Sequence, residues 1–162
     1  MNMTDILIAE LKGEAEATRR ILERVPTDKL SWKPHEKSMS LGMLALHIAG
    51  LPGGLAEFLN EPIREVPVIP LPEAASLSEI LSTFDHYRII AENMLLAWGE
   101  AGLTETWKLT HKGVAIMEVP RIEVVRTLMF NHWYHHRGQL TVYLRLLEVP
   151  VPSIYGPTAD EN

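Results

Sequence analysis

Apolar side chains recur at helical spacing in four segments of the chain, and this pattern predicts four helices. The first helix is amphipathic; Thr4 is a plausible N-cap for it, and it runs to about Arg24, just before a proline. The second helix runs from Leu41 to about Leu59 and has almost no polar face, which predicts that it is buried. Because proline removes one bond within a helix, Pro52 predicts a kink there.

The middle of the chain is interrupted by prolines and glycines. We expect the proline-rich connection after the second helix to be an ordered linker that forms no element. The third helix begins at residues 76–79, which have the spacing of a capping box, and runs to about Trp98, where Gly99 follows. The sequence then loses its helical period, and segments 108–110 and 114–116 could form a short β-hairpin.

The fourth helix carries the most distinctive polar residues of the chain. It is predicted to run from Pro120, which suits a first helical turn, to about Leu147. One of its faces carries six residues: Val125, Leu128, His132, His136, Gln139 and Tyr143. Four such helices predict an all-α fold, a four-helix bundle with a possible short β-hairpin before the last helix. The length of 162 residues predicts a single domain over residues 1–162.

Composition and charge narrow the possible functions. The net charge is −6 and no basic run or basic helix face is present, which argues against binding to nucleic acid. The absence of cysteine excludes disulfides, thiolate metal sites and cysteine nucleophiles, and it fits a cytoplasmic protein. We find no signal peptide, and the apolar stretch around residues 41–51 is too short to span a bilayer, so no membrane association is expected.

A histidine cluster in the fourth helix is the strongest candidate for chemistry. His132 and His136 are four residues apart, so both imidazoles lie on one face of a helix and could bind one divalent metal ion. His47, in the apolar second helix, could supply a third ligand and leave one coordination position open for water or substrate. A lone apolar-flanked histidine is more often a hydrogen-bonded core residue, so spacing alone leaves the metal-binding and core interpretations open.

The other polar residues near this cluster have predicted roles of their own. His135, three residues after His132, could form an alternative pair with it, but we assign it to the boundary of the site or to an outer hydrogen bond. Gln139 shares the face of His132 and could hold a ligand ring or a substrate. Arg137 points away from that face and is expected to bind a carboxylate or to cap the helix contact. Glu57 is too far along its helix to be counted as a ligand. His35 and His111 are expected in solvent, and His86 is expected either at the surface or with its hydrogen bonds satisfied.

Three blocks of the sequence resemble the DinB-like family of small helical-bundle proteins. They are residues 32–40, which begin Trp-Lys-Pro-His-Glu, the Leu-x-x-His-Ile-Ala segment that contains His47, and the His-x-x-x-His-Arg-Gly-Gln-Leu block that begins at His132. The tail over residues 151–161 is similar to one branch of the family. The resemblance implies an up-down-down-up four-helix bundle, commonly a homodimer. It also implies a three-histidine site for a divalent metal, often nickel or zinc, at His47, His132 and His136.

The resemblance leaves the reaction open. Relatives include metal-dependent thiol transferases and a maleylpyruvate isomerase, and the family name refers to induction by DNA damage, not to DNA binding. The first hypothesis is an enzyme in which the metal activates a low-molecular-weight thiol for transfer to a small electrophile. The second is a metal-dependent hydrolase, and the third is a non-catalytic dimeric bundle with a structural metal. A small-molecule substrate and a homodimer are the expected partners.

Overall fold

The N-terminal helix begins earlier than its sequence suggests. The computed structural model describes residues 2–161, and α1 covers Met3–Leu22. Asn2, not Thr4, is the N-cap: its side chain accepts a hydrogen bond from the Asp5 backbone N–H at 2.8 Å, and the Asp5 carboxylate accepts from the Asn2 N–H at 3.2 Å. This reciprocal pair satisfies two backbone donors. Thr4 instead lies buried in the first turn.

Helix α2, Leu41–Asn60, is the buried helix that its composition predicts. The helix continues through Pro52. Proline has no N–H, so the carbonyl of Ile48, four residues earlier, has no partner within the helix. The indole N–H of Trp133 donates to that carbonyl at 3.1 Å. The proline therefore creates an acceptor on the surface of α2 that fixes the last helix against it.

Helix α2 also bears on the question of membrane association. Its 20 residues are long and apolar enough by length and composition alone to cross a bilayer, so the expectation that this stretch is too short is wrong. However, more than half of its apolar stretch is buried inside the protein. Burial in the core explains the apolar composition, and no membrane protein is indicated.

Helix α3 extends past its predicted end. It covers Leu77–Thr104, with Ser76 as the N-cap that accepts from the Glu79 N–H at 3.1 Å. The capping box is incomplete, because the Glu79 carboxylate accepts from Ala75 instead. Gly99 interrupts the regular helix with φ of 54°, which glycine adopts readily, but helical structure resumes afterwards. The glycine therefore breaks the helix without ending it.

A three-stranded sheet replaces the predicted short hairpin. Strands β1 (Ile63–Glu65), β2 (Thr106–His111) and β3 (Val114–Pro120) lie in the order β1-β2-β3. Strands β2 and β3 form a longer antiparallel hairpin than expected, and β1 pairs parallel to β2. Strand β1 lies at the start of the proline-rich connection, so the prediction that this connection forms no element is wrong. Its three residues are held by a partner more than forty positions away, which no local pattern indicates.

The last helical stretch consists of three consecutive segments. Helix α4 covers Arg121–Val124, a π-helical segment covers Val125–Asn131, and α5 covers His132–Leu146. Pro120 ends β3 and precedes α4, so it lies just outside the first turn where it was expected. The π-helical segment was not predicted from the sequence. Segments of this kind are rare and often occur at functional sites.

Three hydrogen bonds set α2 antiparallel to this last stretch. The Tyr143 hydroxyl donates to the Met39 carbonyl at 3.2 Å, and the Trp133 indole donates to Ile48 as described. At the other end, the buried Arg121 donates through Nε to the Leu59 carbonyl at 3.0 Å. This register brings the start of α5 beside the middle of α2, where His47 lies. The protein is mostly helical with a small three-stranded sheet.

Candidate metal centre

The three histidines singled out in the sequence lie together in the structure. His47 is half-buried on α2, and His132 and His136 lie one turn apart on α5. Their ring centroids are 5.4 Å (47 to 132), 4.7 Å (47 to 136) and 4.5 Å (132 to 136) apart. One ring nitrogen from each lies within 4.8 Å of the other two, so the cluster could hold a metal ion. The predicted contact between two separated helices is present.

The two histidines of α5 are hydrogen-bonded to each other. Their Nε2 atoms are 2.7 Å apart, so one ring donates and the other accepts. Two ligand nitrogens on one ion, with bonds of about 2.0–2.1 Å and a tetrahedral angle, would be about 3.3 Å apart. A bound ion would therefore replace this hydrogen bond after the rings separate by roughly half an ångström.

Gln139 fixes the orientation of one ligand ring. Its Oε1 lies 2.6 Å from Nδ1 of His136, and since an amide oxygen only accepts, the ring carries its proton on Nδ1. The Nε2 lone pair of His136 then faces the centre of the cluster. This is the arrangement by which an outer hydrogen bond selects the tautomer of a metal ligand. Gln139 thus contacts the ring of a candidate ligand, and its part in holding a metal ligand stays a prediction.

Electrostatics keep all three imidazoles neutral. Burial, assisted by the two neighbouring imidazoles, lowers the pKa of His47 from 6.5 to about 4. Burial also lowers the pKa of His132 and of His136, and this outweighs the Leu128 backbone and the Gln139 side chain, which as acceptors favour the protonated rings. Neutral imidazole is the form that binds a metal, so the environment of the cluster prepares it for a cation.

Residues beside the cluster have structural partners of their own. Arg137 is buried and points away from the histidines, as predicted. Its guanidinium binds the Glu14 carboxylate at 2.6 Å and the Thr18 hydroxyl at 3.1 Å, and it lies over the rings of Tyr134 and Tyr155 at 5.1 and 5.2 Å. These contacts join α5 to α1 and to the C-terminal tail. They leave the opposite face of α5, which bears the two histidines, free for the cluster.

The other histidines lie outside the group of candidate ligands. His135 is exposed, with its ring centroid 5.0 Å from that of His136, and it is not part of the convergent set. The alternative pair of His132 with His135 is therefore not the one the fold brings to His47. Glu57 is exposed as well. Three further histidines are exposed, as predicted: His35, His86 and His111.

Two features around the site were not anticipated from the sequence. The Trp133 indole donates a hydrogen bond to the carbonyl that Pro52 leaves free, and Trp133 directly follows the candidate ligand His132 in the chain. The four-residue spacing from Ile48 to Pro52 was the available signal. The π-helical segment that ends immediately before His132 has no comparable signal in the sequence.

Comparisons with known proteins agree with this architecture. A model of the DinB family matches residues 1–162. The uncharacterized protein YrdA of Bacillus subtilis (strain 168) is 25% identical over 159 residues, covering 97% of this chain and 90% of YrdA. A DinB-like protein from Bacillus cereus ATCC 10987 aligns with a TM-score of 0.69 and 23% identity, covering 91% of this chain and 94% of that one. The DinB-like protein YjoA from Bacillus subtilis aligns with a TM-score of 0.71 and 21% identity, covering 94% and 97%. The chain therefore belongs to the DinB family.

Proposed function

We propose that this DinB-family protein is a metal-dependent enzyme in which His47, His132 and His136 bind one divalent metal ion, nickel or zinc. The reaction we propose is transfer of a low-molecular-weight thiol to a small electrophile. The observation that carries the proposal is the convergence of three neutral imidazoles from two helices, with ligand atoms within 4.8 Å of one another. Three protein ligands leave a coordination position open, which is typical of catalytic rather than structural sites.

The donor set favours an anionic ligand at the open position. Three neutral imidazoles do not offset the charge of a divalent ion, and no carboxylate belongs to the convergent group among residues 2–161. A metal bound there would lower the pKa of a coordinated thiol or water. Since imidazole suits nickel and zinc alike, the donor set fits both ions.

The chain's own residues would orient the ligand rings and keep them unprotonated. Gln139 holds the His136 ring in the tautomer that directs Nε2 inward. Burial keeps His47 unprotonated at neutral pH, so no proton has to be displaced from that ring. In the proposed transfer the thiol gives its proton to solvent, and its sulfur forms a bond to an electrophilic carbon. The leaving group departs with the electron pair of the broken bond.

A homodimer of up-down-down-up four-helix bundles in the cytoplasm completes the proposal. The antiparallel register of α2 and the last helical stretch agrees with such a bundle. The net charge of −6 favours a small-molecule partner over nucleic acid. Light scattering coupled to gel filtration tests the dimer. A mass of one chain at micromolar concentration would contradict it.

Metal analysis followed by substrate panels tests the function. Protein purified without chelator or nickel resin is expected to contain close to one equivalent of a divalent ion. The His136→Ala variant is expected to contain none, and the matched variant His135→Ala, which alters an exposed neighbour, is expected to keep the full amount. Full metal content in His136→Ala would refute the site.

Panels of thiol–electrophile pairs, esters and amides then separate the candidate activities. Turnover that requires both the thiol and the metal supports the transferase. Turnover of esters or amides without a thiol would instead indicate a hydrolase. A large loss of melting temperature on chelation, without turnover of any class, would indicate a structural metal.

A further inference from the structure

One buried hydrogen bond joins α2 and α5 directly beside the candidate ligands. The indole N–H of Trp133 donates to the Ile48 carbonyl at 3.1 Å. Ile48 directly follows His47 in the chain, and Trp133 directly follows His132. The bond therefore connects the two helices within one residue of a candidate ligand on each side.

The acceptor of this bond exists because of Pro52. Since proline has no N–H, the Ile48 carbonyl has no partner within α2, and Ile48 is fully buried, so solvent does not reach it. The donor is buried as well, because Trp133 is only 1% exposed. A buried carbonyl without a partner is unfavourable, so this pair keeps its geometry more firmly than an exposed hydrogen bond does.

The donor and the acceptor are both supported by α3. The Trp133 ring stacks on Phe84, with centroids 6.5 Å apart and an interplanar angle of 30°. About one turn further along α3, the Tyr87 backbone lies so close to α2 that a Cβ on Gly53 would clash with its carbonyl oxygen. The indole and the backbone of α2 are therefore fixed against the same helix, and the bond between them joins two rigid elements.

The two other hydrogen bonds that set the register of the helices lie farther from the histidines. Tyr143 bonds Met39, which precedes α2, and Arg121 bonds Leu59, about 18 Å along the axis of α2 from His47. Functional side chains must be held within about 0.5 Å of their working geometry. A bond beside the ligands controls their positions more closely than bonds at the two ends of the helix.

The π-helical segment makes a bond at Trp133 especially important. This segment, Val125–Asn131, lies between Arg121 and the start of α5. Its turns are wider than those of an α-helix, so contacts made by Arg121 do not determine the rotation of α5 through regular helical geometry. The indole bond fixes that rotation at the second residue of α5.

We propose that Pro52 and Trp133 are a positioning pair for the candidate metal centre. The proline frees the Ile48 carbonyl and the indole binds it, which sets the rotation at which the two histidines of α5 meet His47. This inference rests on the proposed function, because it concerns the same metal site. It assigns to the pair an effect on metal affinity that is separate from its effect on stability. Loss of an outer contact that orients metal ligands lowers metal affinity by about 10–100-fold.

Two substitutions separate positioning from the mere loss of a hydrogen bond. Trp133→Phe removes the donor and leaves the Ile48 carbonyl unpaired, so it lowers both stability and metal affinity. Pro52→Ala supplies a backbone N–H that bonds the same carbonyl within α2. In the double variant the carbonyl is therefore paired, but the bond between the helices is absent. Pro52→Ala alone is its reference, because a carbonyl oxygen has two lone pairs and accepts both donors.

The test is a double-mutant cycle with two readouts. Affinity for cobalt(II) is measured by its visible absorption in competition with a chelator, and stability by urea unfolding in the presence of EDTA. In the wild-type background, Trp133→Phe is expected to weaken cobalt binding about tenfold or more and to lower the urea midpoint. In the Pro52→Ala background, the same substitution is expected to lower the midpoint less but to weaken cobalt binding as much.

Trp98→Phe is the matched control. The Trp98 indole donates to the Asn60 side chain at 3.2 Å, at the C-terminal end of α2 and away from the histidines. This variant is expected to retain the cobalt affinity of wild type within about twofold. A loss as large as that in Trp133→Phe would show a general effect of removing an indole bond and would overturn the inference.

The outcomes separate the positioning pair from the metal centre itself. Unchanged cobalt affinity in Trp133→Phe would overturn the pair and leave the metal centre standing, as would a loss of affinity that shrinks in the Pro52→Ala background together with the loss of stability. If Trp133→Phe does not fold, Pro52→Ala is compared with the double variant, and equal affinities of these two proteins would overturn the inference. Wild-type protein that folds but binds no cobalt would refute the proposed function and the inference together.

Discussion

Replacing Gln139 with leucine tests whether the hydrogen bond to His136 prepares a metal ligand. The bond joins Oε1 and Nδ1 at 2.6 Å and selects the tautomer with Nε2 free for the metal. Leucine keeps similar volume but accepts no hydrogen bond, so the ring loses the contact that fixes its orientation and its tautomer. Loss of such an outer partner lowers metal affinity by about 10–100-fold, equivalent to about 1.4–2.7 kcal/mol.

The metal-free protein should change much less. Gln139 is half-buried, so the lost neutral hydrogen bond should reduce the free energy of unfolding by only about 0.5–1.5 kcal/mol. Metal affinity is measured by competition with a chromophoric chelator, and stability by thermal unfolding in the presence of EDTA. Gln139→Glu retains an acceptor and is expected to restore or exceed wild-type affinity, while His135→Gln, at an exposed neighbour, should leave it unchanged.

Unchanged metal affinity in Gln139→Leu would refute this reasoning. The same conclusion would follow if Gln139→Glu bound metal no better than the leucine variant, because the acceptor would then be irrelevant. A fall in metal affinity no larger than the fall in metal-free stability would assign Gln139 a structural role only.

Three further measurements test the packing and the electrostatics of the site. Gly53→Ala should lower the free energy of unfolding by about 3 kcal/mol, because the new Cβ would clash with the Tyr87 backbone. Gly13→Ala, where a Cβ meets open space, should raise it by up to about 1 kcal/mol. A change of the same sign for both variants in chemical denaturation would contradict the packing of α2. Trp133→Phe should cost about 1–3 kcal/mol in the same assay, since it leaves the Ile48 carbonyl without its partner, and an unchanged midpoint would argue against that bond. The pKa of His47 is lowered from 6.5 to about 4, so on acidification the unfolded chain takes up a proton at this ring before the folded protein does. The free energy of unfolding of the metal-free protein should therefore decrease as the pH falls from 6.5 towards 4. In His47→Gln this part of the pH dependence should disappear, and its persistence would contradict the assigned burial of His47.

Helices and candidate ligands were largely readable from the sequence because both depend on local spacing. The apolar periodicity located α1, α2, α3 and the last helical stretch, and the four-residue interval placed His132 and His136 on one face. Linking them to His47 required a resemblance, since spacing alone left a core histidine as an equal alternative. The structure then brought the three rings together.

The features that sequence reasoning missed depend on partners distant in the chain. Strand β1 exists because it pairs with β2, more than forty residues later, and its three residues carry no periodic signal. Asn2 displaced Thr4 as the cap because Asp5 could reciprocate its hydrogen bond. No local propensity in the sequence specifies the π-helical segment over Val125–Asn131.

X-ray absorption spectroscopy at the edge of the bound metal tests the central claim most directly. For wild-type protein loaded with zinc or nickel, three imidazole nitrogens are expected at about 2.0–2.1 Å from the ion, and fewer than three in any His47→Ala protein that retains metal. A wild-type spectrum with fewer than three imidazoles, or one that His47→Ala leaves unchanged, would contradict the claim that the three rings hold one ion.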